Sequence, residues 1–189
     1  MIRDLIVSNR SCRRFHEDAA VERRTLEELV DLARLSASAA NLQPLRYILS
    51  HEPQENAAIF PHLAWANYLK DWGGPSPGER PAAYIIVLGD TQISKTFGCD
   101  HGIAAQSMLL GARERGLAGC MIGLIKRDEL RQTLQISARY EILLVIALGK
   151  PREQAVIDAV RPGGDIKYWR DRDGVHHVPK RSLDEIILA

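Results

Sequence analysis

The alternation of apolar and polar residues near the start of the chain predicts an amphipathic helix. Residues 25–35 repeat apolar side chains at helical spacing, with Leu26 and Leu29 on one face. Thr25 and Glu28 have the spacing of a capping box at the beginning of this segment. The pattern therefore indicates a helix that begins near Thr25 and buries one face.

Two further helices are predicted in the second half of the chain. Over residues 101–115 an apolar stripe runs at helical spacing through Ile103, Ala104, Ser107, Leu110 and Gly111. Gly116 is placed to end this helix, because glycine readily adopts the left-handed conformation of a helix C-terminus. Another helix is expected near residues 127–135. The stretch 116–125 between them is apolar but carries three glycines, so its backbone shape matters more than its side chains.

Short apolar runs bounded by proline or glycine predict strands. They cover residues 44–50, 82–89 and 141–149, and the last is the longest apolar run and the best candidate for a central strand. Residues 72–81 contain three glycines and three prolines and are expected to form a loop. Strands alternating with helices predict an α+β fold in which helices cover both faces of the sheet.

The chain becomes polar and highly charged after Pro151. Residues 161–181 nevertheless contain Tyr168 and Trp169, and the chain finishes with the apolar, helix-like sequence SLDEIILA. A disordered tail rarely keeps such aromatic residues. We therefore expect residues 161–189 to form a C-terminal arm that docks on another surface, with a second subunit as one candidate.

Composition excludes several classes of protein. The 189 residues are 46% hydrophobic and 26% charged, which is typical of a folded globular protein, and we expect one domain over residues 1–189. A formal net charge of +1 argues against a nucleic-acid partner. The sequence shows neither a transmembrane-length apolar run nor a signal peptide, so no membrane contact and a cytoplasmic location are expected. The three cysteines lack metal-site spacing and are expected to be reduced thiols.

A cationic turn, NRSCRRF, occupies residues 9–15. It brings Arg10, Ser11, Arg13 and Arg14 close together along the chain. Guanidinium groups hold phosphate through paired, charge-assisted hydrogen bonds, and a nearby hydroxyl adds one more. The turn is therefore a candidate phosphate site, and the alternative is a solvated basic loop with surface ion pairs.

Small residues and amides follow the first long helix in the sequence SASAANLQPLRY, residues 36–47. Small residues let a backbone approach a ligand closely, and Asn41 and Gln43 offer donors and acceptors ahead of the rigid Pro44. This segment is a second candidate binding site. The alternative is a helix end capped by an asparagine.

Two weaker candidates are the glycine-bearing CMIG segment, residues 120–123, and the cationic Lys180-Arg181 near the end. The order of all these segments carries more information than any one of them. Arg-Ser-x-Arg, then S-x-x-N-x-Q-P, an AAQ-bearing helix, CMIG and a terminal Lys-Arg resembles the nitroreductase family of FMN-dependent oxidoreductases. The resemblance covers the chain from Ile2 to Leu188 and indicates a compact member of that family.

The resemblance implies an FMN site that begins in the cationic turn. Arg10 and Ser11 match the family residues that bind the FMN phosphate and ribityl chain. Arg13 would meet the pyrimidine edge of the flavin, where a cation stabilises the negative charge of the reduced ring. Asn9 stands where the family usually has arginine, which leaves one phosphate contact open.

Three other segments complete the implied site. The family motif that reaches the FMN bound mainly to the other subunit is matched by Ser38, Ala39, Asn41 and Gln43. The segment beside the flavin ring is matched by Ile122, Gly123 and Leu124. The terminal cations that complete the phosphate site are matched by Lys180 and Arg181. Four cationic side chains around the FMN phosphate dianion form a local site, which is compatible with the protein's overall net charge of +1.

The same resemblance implies the architecture and the activity. The fold would be a nitroreductase-like α/β/α layered arrangement, with a mixed, mostly antiparallel sheet flanked by helices. Two interlocked chains would form a homodimer with FMN at the interface, and the arm would embrace the partner. The activity would be hydride transfer from NAD(P)H and reduction of a second small substrate, nitroaromatic- or quinone-like, by a ping-pong mechanism. No side chain is expected to be catalytic, because the flavin carries the chemistry.

Two other functions stay open from the sequence. One is an FMN-binding or storage protein without significant turnover, and the other is an interaction module without a ligand. The sequence has neither a dinucleotide-binding glycine motif nor a Walker loop, so NAD(P)H would dock transiently. Packing in the core or over the glycine-rich loop is expected for Trp65, Tyr68 and Trp72, with a substrate lid as the alternative.

A metal site is not expected. His176 and His177 are adjacent and would face opposite ways on a strand, and Asp100 has the position of a helix N-cap. Of the thiols, Cys12 lies among arginines and would be the most activated, whereas Cys120 is expected to be buried.

Overall fold

An antiparallel sheet of five strands forms the middle layer of the computed structural model, which describes residues 1–161 and 163–188. Its strands are β1 (Phe15–His16), β2 (Leu45–Ser50), β3 (Ala83–Asp90), β4 (Ala118–Ile122) and β5 (Tyr140–Pro151). Strand β3 lies between β2 and β5, while β4 and β1 pair with β5 as well. The predicted central strand is therefore confirmed, since β5 pairs with three neighbours.

Helices cover both faces of this sheet. They are α1 (Ile2–Ser8), α2 (Arg23–Arg34), α3 (Pro53–Ile59), α4 (Asp100–Glu114), α5 (Arg127–Thr133) and α6 (Leu183–Ile186). Along β3, Ile85 and Val87 belong to the core that α2 and α4 complete, whereas Ile86 and Leu88 belong to the core beneath α3 and α5. The layered α+β prediction is therefore confirmed. Among the described helices, none is both long and apolar enough to cross a bilayer.

The predicted first amphipathic helix is present as α2, but it begins earlier than expected. Glu22 is its N-cap residue and makes no side-chain capping hydrogen bond. The capping box predicted at Thr25 and Glu28 is therefore wrong. Thr25 lies inside the helix and therefore cannot be its N-cap residue. Glu28 forms ion pairs with two arginines instead.

Helix α4 confirms the prediction over residues 101–115, and Gly116 follows it with a φ of +74°. The face that it buries differs in part from the predicted stripe, because Ala104 and Gly111 are buried as expected, whereas Ile103 is exposed and Met108 is fully buried. The cause is close packing against α2. A Cβ on Gly111 would lie 2.2 Å from the Leu32 side chain.

The C-terminal segment forms a small second sheet, and all three of its strands come from the same chain. Strand β8 (His176–Lys180) pairs in parallel with β6 (Ala155–Ala159) and antiparallel with β7 (Trp169–Arg170). Of the predicted arm, residues 162 and 189 lie outside the described residues. Docking of the arm on a second subunit stays a prediction.

Candidate functional site

The N-terminal loop, β4 and β8 enclose a cleft of about 290 Å³. Three cations line it, namely Arg10, Arg13 and Lys180. The rest of its wall consists of Asn9, Ser11, Gln106, Leu109, Gly119, Met121, Tyr168, His176 and Val178. We call it the cationic cleft. The fold thus brings together the two ends of the chain that were predicted to bind one phosphate.

Arg10 presents hydrogen-bond donors at this cleft. Its Nη2 donates to the carbonyl oxygen of Ile6 at 2.7 Å, whereas its buried Nε has no hydrogen-bond partner in the described part of the chain. Burial lowers the pKa of Arg10. A partly buried cation with an unpaired donor favours an anionic ligand, because a buried N–H without an acceptor costs free energy.

The two terminal cations have different surroundings. Lys180, at the end of β8, lines the cationic cleft. Arg181 is not among the described residues that line it, and its Nη1 lies 3.7 Å from Oε1 of Glu185 on α6. Within one chain, three of the four cations predicted for the FMN site therefore meet, and the fourth, Arg181, pairs with a carboxylate.

Arg13 lies at the boundary between the cationic cleft and a second cleft of about 160 Å³, which we call the Gly123 cleft. The predicted segment Ile122, Gly123 and Leu124 lines it, together with Ala64, Trp65, Ala66, Asn67 and Cys120. Arg13, Met121 and Tyr168 line both clefts. The second predicted segment therefore lies next to the first, with Tyr168 between them.

The Gly123 cleft offers backbone and apolar surface. Ile122 is 5% exposed and its side chain belongs to the core. A side chain at Gly123 would have no neighbouring atom within 4 Å. Met121 and Leu124 are exposed on either side. This arrangement suits a flat apolar ring that lies close to the chain.

The SAANLQP segment, residues 38–44, lies away from both clefts in the structure. Ser38 and Gln43 line a separate cavity of about 400 Å³. Between them, Ala39 and Asn41 are exposed in a 3₁₀ turn. In the described structure none of these four residues lines either cleft, so their contact with the flavin of a partner stays a prediction.

Asp100 holds this turn, and the sequence did not identify that role. Its Oδ2 accepts a hydrogen bond from Ser38 Oγ at 2.6 Å, and its Oδ1 accepts one from the backbone N–H of Ala39 at 3.0 Å. Cys99, and not Asp100, is the N-cap of α4. The N-cap interpretation of Asp100 is therefore wrong, because its side chain points to the turn after α2.

A buried carboxylate behind Arg13 also escaped the sequence analysis. The side chain of Glu153 is 1% exposed. It accepts hydrogen bonds from the backbone N–H of Arg13 and from Nη2 of Arg170, the latter at 2.7 Å. Arg170 in turn lies over the ring of Trp72 at 4.8 Å. Nothing in the sequence links residues so far apart, so only the fold shows that β7 is tied to the cationic turn.

Two tyrosines from distant segments stand beside Arg13. The ring of Tyr168 lies 4.9 Å from the Arg13 guanidinium carbon and 4.9 Å from the ring of Tyr68. The hydroxyl of Tyr168 accepts a hydrogen bond of 3.3 Å from the backbone N–H of Tyr68. Trp65 is 8% exposed in the core, as one of its two predicted roles requires. Tyr68 therefore contacts a residue that lines both clefts, as its predicted alternative role in a substrate lid would require.

The histidines and thiols are arranged for packing and charge pairing. His176 contacts Arg13, whereas His177 pairs with carboxylates on the other side of β8, as expected of adjacent strand residues. Burial raises the pKa of the Cys12 thiol to about 12, so the prediction that it is activated is wrong. Cys120 is buried as expected, and burial raises its pKa to about 12 as well.

Comparison with known proteins agrees with this fold. The model of the nitroreductase family matches residues 6–150. Over 196 residues the chain is 23% identical to a presumed NAD(P)H nitroreductase, YodC, of Bacillus subtilis (strain 168), a match that covers 88% of this chain and 97% of that protein.

Two solved structures have similar folds. An FMN-dependent nitroreductase from Clostridium difficile R20291 gives a TM-score of 0.66 at 21% identity, covering 82% of this chain and 89% of that one. A presumed nitroreductase in complex with FMN from Exiguobacterium sibiricum 255-15 gives a TM-score of 0.67 at 18% identity, covering 80% and 89%. Since the family model spans most of the sequence and these structures share its fold, the chain belongs to the nitroreductase family.

Proposed function

We propose that this protein is an FMN-dependent oxidoreductase that takes a hydride from NAD(P)H and reduces a second small substrate, nitroaromatic- or quinone-like, by a ping-pong mechanism. One observation carries the proposal. Arg10, Arg13 and Lys180 line one cleft, and that cleft continues past Arg13 to the open backbone at Gly123. A cationic end joined to an apolar, flat end matches the two halves of FMN.

The residues present fit this cofactor. At the cationic end, the unpaired Nε of Arg10, the ammonium of Lys180 and the hydroxyl of Ser11 are donors of the kind that bind a phosphate dianion. Arg13 would supply positive charge at the pyrimidine edge. When bound, FMN supplies the hydride chemistry of both half-reactions.

The protein itself would bind FMN, orient it and tune its reduction potential. The described side chains of the two clefts include no thiol with a lowered pKa, and Cys120 is buried with a raised one. Charge at the pyrimidine edge and dry apolar walls are the means by which such a protein tunes a bound cofactor. The names of the relatives support the assignment, since one is called an NAD(P)H nitroreductase and another an FMN-dependent nitroreductase.

A homodimer is part of the proposal. Helix α1 exposes Ile2, Ile6 and Val7, and the C-terminal end exposes Leu183, Ile186, Ile187 and Leu188. Exposed apolar surface of this kind is typical of an interface. In such a dimer, Ser38, Ala39, Asn41 and Gln43 would reach the FMN of the partner, and the segment from about Arg161 would dock on it. We further propose that the protein is cytoplasmic.

An absorption spectrum of the purified protein tests the proposal. Flavin bands that bleach on anaerobic addition of NADH or NADPH are expected, and they identify the donor. Flavin bands that do not bleach with either nucleotide would favour a storage protein. A protein that takes up no FMN after incubation with it would contradict the assignment, and light scattering would decide separately whether it is a dimer.

A further inference from the structure

His176 is a buried polar residue placed directly behind Arg13. It is 1% exposed, and its Nε2 lies 3.2 Å from Nη1 of Arg13. The backbone fixes its position, since its N–H donates to the carbonyl of Gln154 at 2.8 Å and it lies opposite Ala155 of β6 and Arg170 of β7 in the small sheet. A strand on the C-terminal segment therefore delivers this imidazole to the cationic turn.

The chemistry of the pair defines the state of the imidazole. A guanidinium has only donors, so Nε2 of His176 accepts and the ring proton is assigned to Nδ1. Burial, followed by the charges of Arg13 and Arg170, lowers the pKa of His176 to about 4. The imidazole is therefore neutral at physiological pH, and it holds Arg13 without cancelling its positive charge.

A second observation indicates that this position serves more than stability. The buried Nδ1 of His176 has no hydrogen-bond partner in the described part of the chain. A buried donor without an acceptor costs free energy, and an apolar residue of similar size would avoid that cost. A carboxylate would hold a guanidinium more strongly but would neutralise it. A neutral acceptor is the choice that orders the cation and keeps its charge.

We propose that His176 is a positioning residue, which orders the Arg13 guanidinium at the boundary of the two clefts with its charge intact and thereby raises the reduction potential of bound FMN. The inference rests on the proposed function. A cation held at the pyrimidine edge favours the reduced, more negative flavin, whereas a cation free to turn to solvent favours it less.

The test uses the FMN-loaded protein and measures the midpoint potential of the bound flavin together with the Kd of oxidised FMN. The shift of the midpoint potential from that of free FMN gives the ratio of affinities for reduced and oxidised FMN, and the Kd shows how well each variant still binds the oxidised form. In His176→Leu this ratio is expected to fall about tenfold, the equivalent of one hydrogen bond to a charged group. His176→Glu keeps an acceptor but neutralises Arg13, so the ratio is expected to fall at least as far.

Two further variants separate the charge argument from packing. His176→Gln retains a neutral acceptor and is expected to keep the ratio within about threefold of wild type, which is less than one hydrogen bond. His177→Gln is the matched control, since His177 faces Asp158 and Asp171 on the other side of the strand. It should leave the potential unchanged even where it loosens the strand.

The outcomes are distinct. An unchanged ratio in His176→Leu overturns the positioning role, and so does an equal fall in His177→Gln. If His176→Leu does not fold, the comparison of His176→Glu with His176→Gln decides, and a ratio that falls equally in both or in neither overturns the role. A wild-type protein that binds no FMN overturns the proposed function and this inference together, whereas wild-type FMN that NAD(P)H reduces leaves the proposed function standing whatever the variants show.

Discussion

The carboxylate of Asp100 accepts a hydrogen bond of 2.6 Å from the hydroxyl of Ser38. Its second oxygen accepts the backbone N–H of Ala39 at 3.0 Å. Asp100 is 3% exposed, so both hydrogen bonds are shielded from water. One side chain at the start of α4 therefore fixes the turn that carries the SAANLQP motif.

Removal of this carboxylate should destabilise the protein. Asp100→Ala removes the acceptor of two hydrogen bonds, and hydrogen bonds to a charged group contribute about 1.5–3 kcal/mol each, so a loss of about 3 kcal/mol in the free energy of unfolding is expected. Urea denaturation measures it. Asp31→Ala is the control, because Asp31 forms an exposed pair with Arg34 on α2 and such pairs contribute about 0.5 kcal/mol. Equal losses in the two variants would contradict the anchoring role.

Binding of the FMN phosphate by the cationic turn can be tested at Arg10. Arg10→Ala removes charge-assisted hydrogen bonds to the ligand and is expected to raise the Kd of FMN by about 10–100-fold. Fluorescence quenching of FMN on titration with the flavin-free protein measures this. The control is Arg24→Ala, an exposed arginine on α2 that lies outside both clefts. An unchanged Kd in Arg10→Ala would refute the assignment of the cationic turn.

The sequence was sufficient for elements whose burial pattern is local. The apolar run of β5 and the glycine after α4 gave correct strand and helix boundaries within a few residues. The buried face of α4 was predicted less well. Ile103 is exposed because α2 and the sheet, rather than a single neighbour, decide which side of α4 is covered.

The candidate site shows the same division between local and distant information. The cationic turn and the terminal Lys180 were found from residue type and order, and the fold brings them to one cleft. Asp100, Glu153 and His176 were missed as partners of those segments. Each acts through a contact with a residue more than sixty positions away, and such contacts leave no pattern in a single sequence.

The C-terminal strands should have a pH-dependent stability that comes from His177. Its Nδ1 lies 2.9 Å from Asp158 and its Nε2 lies 3.2 Å from Asp171. The hydrogen bond to Asp171, followed by that to Asp158, raises the pKa of His177. Because the folded pKa is the higher one, the stabilisation is complete below the unfolded value of about 6.5 and is lost as the pH rises through the folded pKa.

The measurement is the difference in Tm between wild type and His177→Gln across the pH range. The difference is expected to be largest below the unfolded pKa of about 6.5 and to decline as the pH rises through the folded pKa and the imidazole loses its charge. Asp158→Asn should show the same trend, since it removes one of the two carboxylates. A difference that stays constant with pH would show that His177 contributes through its stacking on Trp169 alone.

Tyr168 should control how fast FMN enters. Tyr168 lines both the cationic cleft and the Gly123 cleft, and its ring contacts both Arg13 and Tyr68. We expect a ligand that fills both clefts to displace this ring. An aromatic pair contributes about 0.5–1.5 kcal/mol and a cation–π contact about 0.5–1 kcal/mol, so Tyr168→Ala is expected to speed FMN association by about 5–70-fold.

Stopped-flow fluorescence with flavin-free protein measures this rate. The matched control is Trp169→Ala, because Trp169 neighbours Tyr168 but stacks on His177 and is not among the described residues that line either cleft. A rate that rises equally in both variants would show that general loosening of β7 admits the ligand. A rate that rises only in Tyr168→Ala would show that the aromatic ring itself divides the site, because it is the group whose contacts must break before FMN can span the two clefts.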